Sequence, residues 1–201
     1  MKKKFIESSL RLIKNNKSID ELGEKKLRYG LEGFYNVFVK TIVMLILAIL
    51  LNIVVEYILL ILVYSTLRLY GFGIHMKTSA QCWVTTIPLY IVGCLLIKYV
   101  NFPNYISIII WLFGFLSFLF FAPADTPARP LIHKEKRIKA KILSILILFG
   151  YFTIYQYIDL SMIQNVILYG VIMESISINP IIYKLFHTPF NNYKNFAKTT
   201  I

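Results

Sequence analysis

From Thr41 to Leu67 the chain is almost wholly apolar, broken by an amide or a charge only at Asn52 and Glu56. Runs of this kind are what a bilayer selects, because a helix needs ~20 apolar residues to cross a ~30 Å hydrocarbon core. As one helix those ~27 residues would measure ~40 Å, which is long for the core. A start near Phe34 with a hinge around Asn52–Glu56 gives two helices instead. That arrangement puts Glu56 at a turn on the far surface, where a carboxylate is least expensive.

Further spans are expected at about Trp83–Tyr99, Ile106–Phe121, Ile142–Tyr157 and Met162–Tyr183. Hydrophobic residues make up 57% of the 201 positions and charged ones only 16%, so little polar sequence is left to build a soluble domain. The expected fold is therefore all-α and polytopic. It has about six transmembrane helices over residues 34–183, a basic N-terminal segment over 1–33 and a tail over 184–201. Within Phe5–Leu22, Phe5, Ile6, Ser9, Leu10 and Ile13 fall at helical spacing among lysines and an arginine. This pattern predicts an amphipathic helix on the membrane surface. Met1–Lys4 is basic, but Glu7, Arg11, Lys14 and Lys17 interrupt any apolar core behind it, against a cleavable signal peptide.

The formal charge of +12 invites a nucleic-acid reading, but the basic residues are not interleaved with aromatics on a soluble face. They cluster beside apolar runs, as the positive-inside bias requires. With six spans, the N-terminal segment, the loop around Arg68 and Lys77, the basic loop at Arg129–Lys141 and the tail all face the cytoplasm. Only Lys98 then falls near an outer loop. The loop Ala122–Pro130 carries three prolines, which end one helix and hold an extended segment. His133, Lys134, Lys136, Arg137, Lys139 and Lys141 follow, as a topogenic loop or a dock for an acidic partner. No metal-ligand spacing and no glycine-rich phosphate loop is present. Two cysteines are too few for a disulfide framework.

The chemistry points to one polar interruption, Arg68–Cys82, with Gly71, Gly73, His75, Lys77 and Ser79 between two apolar runs. A cysteine attacks as a thiolate, which must be stabilised near neutrality. Thr78-Ser-Ala-Gln81 matches a capping box, so a helix starting at Thr78 or Ser79 would put Cys82 in its first turn, near the positive end of the dipole. His75 is a natural base or imidazolium partner. Residues seven apart on one helix lie ~10 Å apart along its axis, too far for a hydrogen bond. The chain must therefore leave the helix between His75 and Cys82, and Gly71, Gly73 and Lys77–Ser79 suit such a break. Cys94 lies mid-span among Ile91, Val92, Leu95 and Leu96 and reads as a small apolar packer. His133 and His187 read as solvated. Arg68 is either a snorkelling anchor or an anion-binding group. Glu174, an ionisable residue inside the last span, either orients His75 or pairs with a base, while Ser175, Ser177 and Asn179 beside it suggest a polar packing face.

Taken together, Arg68, Gly73, His75 and Cys82, then Phe121-Ala-Pro-Ala-Asp-Thr-Pro-Ala-Arg-Pro-Leu131 and its basic run, resemble the accessory gene regulator B family. These are membrane endopeptidases of Gram-positive quorum sensing. Tyr29-Gly30-Leu31-Glu32 and Asn179-Pro180 also resemble that family, and Phe72 departs from it where many members carry a glycine. The resemblance implies a cell-membrane cysteine endopeptidase without cofactor, with both termini cytoplasmic. Its partner would be a small precursor peptide with an amphipathic leader, a central cysteine and an acidic tail, with homodimerisation left open. Cys82 would cut off the tail and hold the remainder as a thioester. The precursor's own cysteine would then close a thiolactone ring, with His75 as base and acid. Two other readings stand beside it. One is a small transporter or permease subunit with Glu174 and Asn52 along its path. The other is a non-catalytic membrane partner of a sensor kinase.

Overall fold

The computed structural model describes residues 2–16, 20–76, 78–127 and 129–194. They form eight helices and no strands, so the fold is all-α. Five helices are long and apolar enough to cross a membrane. The protein is thus a multi-pass membrane protein.

Residues Met1–Leu51 make one compact unit. Its first helix, α1 (Lys2–Asn16), buries Ile6 and Leu10. Phe5 meets the Tyr35 ring of α2 (Glu21–Leu50) at 5.4 Å. Lys2 pairs with Glu32 at 3.2 Å and Lys14 with Glu24 at 2.7 Å, so the two helices are joined by an apolar stripe with ion pairs beside it. The first helix is described over Lys2–Asn16, and Leu22, where the amphipathic helix was expected to end, belongs to α2. Asp20 caps α2 by accepting from Gly23 N at 3.0 Å. Glu21 then supports Lys25 one turn on, at 2.6 Å. These local signals start the helix before the basic cluster instead of after Gly30, and its 30 residues span ~45 Å. That is more than hydrocarbon alone requires.

The second unit runs from Asn52 to the C-terminus. The break expected around Asn52–Glu56 falls at Leu51–Ile53, where Asn52 takes a φ of +54°, a conformation asparagine tolerates. Glu56 lies in the first turn of α3 (Val54–Gly71), where the helix dipole favours a carboxylate, but it is buried. There follow α4 (Ser79–Tyr99), α5 (Asn104–Phe121), α6 (Lys134–Tyr157), α7 (Ser161–Ser177) and the short α8 (Pro180–Leu185).

The centre of this unit is α7, which packs on α3, α4, α5 and α6. Between lipid-soluble helices close approach needs small residues, and α7 and its neighbours supply them. A Cβ on Gly170 would sit 2.7 Å from Val63, one on Gly114 2.6 Å from Val171, and one on Gly93 2.2 Å from the Tyr169 ring. The start of α7 caps two neighbours, since Asn165 Nδ2 donates to Val100 O at 2.8 Å and Gln164 Nε2 to Ile158 O at 2.8 Å. The outer surface is apolar, with Ile58, Leu62, Ile108, Leu112, Phe120 and Phe149 exposed, as a lipid-facing surface requires. Met162–Tyr183 is not one span. Helix α7 ends at Ser177, and Asn179 caps α8 by accepting from Ile181 N at 2.9 Å, with Pro180 at its first position.

Candidate active site

The polar interruption folds as a tight turn between α3 and α4. Two successive residues with positive φ end α3, Phe72 at +70° and Gly73 at +85°. Glycine adopts such values without strain, whereas phenylalanine does so only where its surroundings enforce it. Phe72 is buried, and the Arg129 guanidinium lies 4.3 Å over its ring. The position where the family resemblance is broken is thus one with glycine-like backbone geometry, held here by burial and a cation–π contact.

Backbone bonds then fasten the turn to two other parts of the unit. Ala124 N donates to Gly71 O at 2.9 Å and Gly73 N donates to Ala124 O at 3.0 Å, pairing the turn with the proline-rich loop. Ile74 N donates to Ser177 O at 3.0 Å, tying it to the end of α7.

The third fastening is a buried polar cluster. Arg68 turns inward from the end of α3, and its Nη1 donates to Tyr64 Oη at 2.8 Å and to Ser177 Oγ at 3.1 Å. It lies 3.6 Å from Glu174 Oε2. Its Nη2 donates to the carbonyl of Ile74, the residue before His75. Ser177 Oγ in turn donates to Glu174 Oε2 at 2.8 Å, and Glu174 is fully buried. Both glycines of the turn are needed for this approach. A Cβ on Gly71 would meet Glu174 Oε1 at 2.6 Å, and one on Gly73 would meet Ser177 Oγ at 2.3 Å and Arg68 Nη1 at 2.9 Å. Of the sequence candidates, the fold therefore brings Arg68, Gly73 and Glu174 together. Ser177 and Gly71 complete the cluster; the sequence marked them only as a polar packing face and a helix break, not as part of the site. The spacing of Glu174 and Ser177, three apart on one helix face, was the available signal.

His75 follows this fastened segment and is exposed, while Ile74 before it is buried. Its less polar surroundings first, then the positive charges of Arg68 and Arg129, push the imidazole down from the usual 6.5 to about 4. This shift favours the neutral imidazole at pH 7, the form that can accept a proton.

Cys82 lies in the first turn of α4, as the capping pattern predicts. Thr78 Oγ1 accepts from Gln81 N at 3.2 Å, and Cys82 N donates to Thr78 O at 3.1 Å. The thiol is half-buried, 3.9 Å from Thr86 Oγ1. The segment between His75 and the start of α4 is non-helical where described, so the two residues are not on one continuous helix. Lys77 lies outside the described residues. Ser79 begins α4, and its side chain also lies outside them. Cys94 is fully buried in α4, as a packing residue is expected to be.

The wider chain carries the same resemblance. Residues 6–178 match the accessory gene regulator B family. An AgrB-like protein of Listeria innocua is 29% identical over 180 residues, covering 88% of this chain and 87% of that protein. One from Listeria monocytogenes serotype 4b is 30% identical over 182 residues, with the same coverage. The accessory gene regulator protein B of Staphylococcus carnosus is 26% identical over 151 residues, covering 73% of this chain and 79% of its own. No solved structure matches. A match spanning the turn, the proline-rich loop and all five helices long and apolar enough to cross a membrane leaves one conclusion: the chain belongs to the accessory gene regulator B family.

Proposed function

We propose that the protein is a cysteine endopeptidase that cuts the C-terminal tail from a membrane-bound signal precursor and closes the remainder into a thiolactone. Family membership supports the setting, quorum sensing with a small precursor peptide as partner. The observation that carries the chemistry is a neutral His75, presented by a turn fastened on three sides, close in sequence to a cysteine in the first turn of α4.

In this reading His75 takes the proton of Cys82, and the thiolate attacks the carbonyl carbon at the end of the future signal. The C–N bond breaks, a thioester forms, and the imidazolium returns its proton to the leaving amine. His75, neutral again, takes the proton from the precursor's own thiol. That sulfur attacks the thioester carbonyl and Cys82 leaves as thiolate, recovering the proton. One thioester is exchanged for another, so the step is close to balanced in energy, and keeping water away favours ring closure over hydrolysis.

Arg68, Gly73 and Glu174 act here as positioning residues, holding the backbone before His75. The exposed Arg129, Lys134 and Lys136 steer the acidic tail, with Lys77 and Ser79 flanking the nucleophile. The N-terminal amphipathic helix supplies a surface for the leader. With the basic loops on one side, both termini are cytoplasmic. Cys82→Ala and His75→Ala are expected to abolish precursor cleavage while Cys94→Ala leaves it within about twofold. Normal cleavage by Cys82→Ala would sink the proposal. Labelling of an engineered cysteine at Lys134 from outside alone would overturn the orientation.

A further inference from the structure

The proline-rich loop holds a second buried carboxylate that the mechanism above does not use. Asp125 is 1% exposed, next to Ala124, whose backbone pairs with Gly71 and Gly73 in the turn before His75. Its Oδ2 accepts from two backbone amides at once, Leu131 N at 3.2 Å and Tyr193 N at 3.0 Å. The first closes the loop on itself, and the second reaches 68 residues along the chain to the segment after α8. Its Oδ1 is buried and has no hydrogen-bond partner among the described residues.

Helix α8 and the segment after it hold the loop and its flanking helices α5 and α6 at further points. Tyr183 Oη donates to Ala124 O at 2.8 Å, so that carbonyl serves both the turn and the C-terminal region. Phe190 packs edge-on against Tyr183 at 5.1 Å and against Phe121 at 6.4 Å. The Arg137 guanidinium lies 3.9 Å over the Tyr193 ring. A carboxylate taken out of water needs such fixed N–H donors, and an oxygen with two of them has a closely specified place.

We propose that Asp125 is a positioning residue for the proteolytic reaction, joining the C-terminal segment around Tyr193 to the loop that fixes the turn before His75. This rests on the endopeptidase reading. It makes the region after α8 part of the catalytic architecture. The required property of Asp125 is an acceptor oxygen facing two amides, and its charge is incidental. A carboxylate acting directly on His75 would behave in the opposite way, since an amide cannot orient an imidazole as a carboxylate does.

The test uses the full chain in lipid nanodiscs with a synthetic precursor, following kcat and KM for tail release. It also follows the pH profile of Cys82 alkylation by iodoacetamide in a Cys94→Ala background. Asp125→Ala is expected to lower kcat about tenfold or more with KM changed less than threefold. Asp125→Asn keeps one acceptor oxygen and is expected to recover kcat to within about threefold. Tyr193→Pro removes the N–H given to Asp125 and should reproduce the Asp125→Ala defect, whereas Tyr193→Ala keeps that N–H and should not. In the two defective variants the alkylation profile departs from that of the Cys94→Ala parent, whereas in Asp125→Asn it does not. If Asp125→Ala does not fold, Asp125→Asn and the Tyr193 pair still decide. Asp125→Asn as defective as Asp125→Ala, or Tyr193→Pro cleaving at the wild-type rate, overturns the proposal. Cleavage by Cys82→Ala in the same assay instead overturns the endopeptidase reading beneath it.

Discussion

Replacing Glu174 with alanine removes the carboxylate facing Arg68 at 3.6 Å while leaving the guanidinium in place. Breaking a buried ion pair from one side typically costs about 3–5 kcal/mol, because a charge is left uncompensated. Arg68 keeps 21% of its side chain exposed and retains Tyr64, Ser177 and the Ile74 carbonyl, so the lower part of that range applies, about 3–4 kcal/mol. For a domain of this size that is a fall in Tm of about 5–15 °C. The double variant Arg68→Met/Glu174→Leu removes both charges and is expected to recover most of the lost stability, as apolar replacements of buried pairs do. Its cleavage is nevertheless expected to be lost, because the Ile74 carbonyl no longer has the Arg68 donor. A catalytic group misplaced by about 1 Å costs on the order of 100-fold. Thermal unfolding in detergent and tail release from the precursor, measured on both variants, separate the two effects. A double variant that is stable and fully active would refute the assigned role of the cluster. So would a Glu174→Ala protein with unchanged Tm.

Three further outcomes follow from the same geometry. Gly73→Ala must hold a side chain at a φ of +85° with its Cβ 2.3 Å from Ser177 Oγ. The backbone alone costs about 1–2 kcal/mol, so cleavage should fall more than tenfold, with partial recovery when Ser177→Gly is added. Phe72→Gly relieves a φ of +70°, a gain of about 1–2 kcal/mol. It loses a buried ring and its Arg129 contact, about 2–4 kcal/mol together, so Tm should fall and a rise would contradict the account. His75 is held down to about 4, and a lowered pKa keeps the imidazole neutral as pH drops. The acid limb of kcat/KM set by His75 should therefore lie between about 4 and the ordinary 6.5, and Arg129→Gln should move it upward.

Much of this was legible in the chain because it is written locally. Apolar run length gave five of the six expected spans, Thr78 with Gln81 gave the start of α4, and two glycines gave the break before Cys82. Where the sequence misled, a local signal was outweighed by its neighbours. Asp20 and the Glu21–Lys25 pair carry α2 through Gly30, and Asn179-Pro180 ends one helix and caps another. The site's supports were harder to read, because they join distant segments. Glu174 was marked as suspicious by its charge, but nothing local says that Arg68, more than a hundred residues earlier, turns inward to meet it. Asp125 looked like part of a proline-rich linker, since its partners are backbone amides, which carry no sequence signature.

The central claim is that Cys82 carries the signal portion of the precursor as a thioester. Intact-protein mass spectrometry of the reconstituted enzyme, quenched at low pH after mixing with a precursor whose own cysteine is replaced by serine, tests it directly. The account predicts an adduct on Cys82 equal in mass to the precursor minus the released tail peptide, lost on treatment with hydroxylamine and absent from Cys82→Ala. Tail release at the wild-type rate by Cys82→Ala, or an adduct that maps to Cys94, would contradict it.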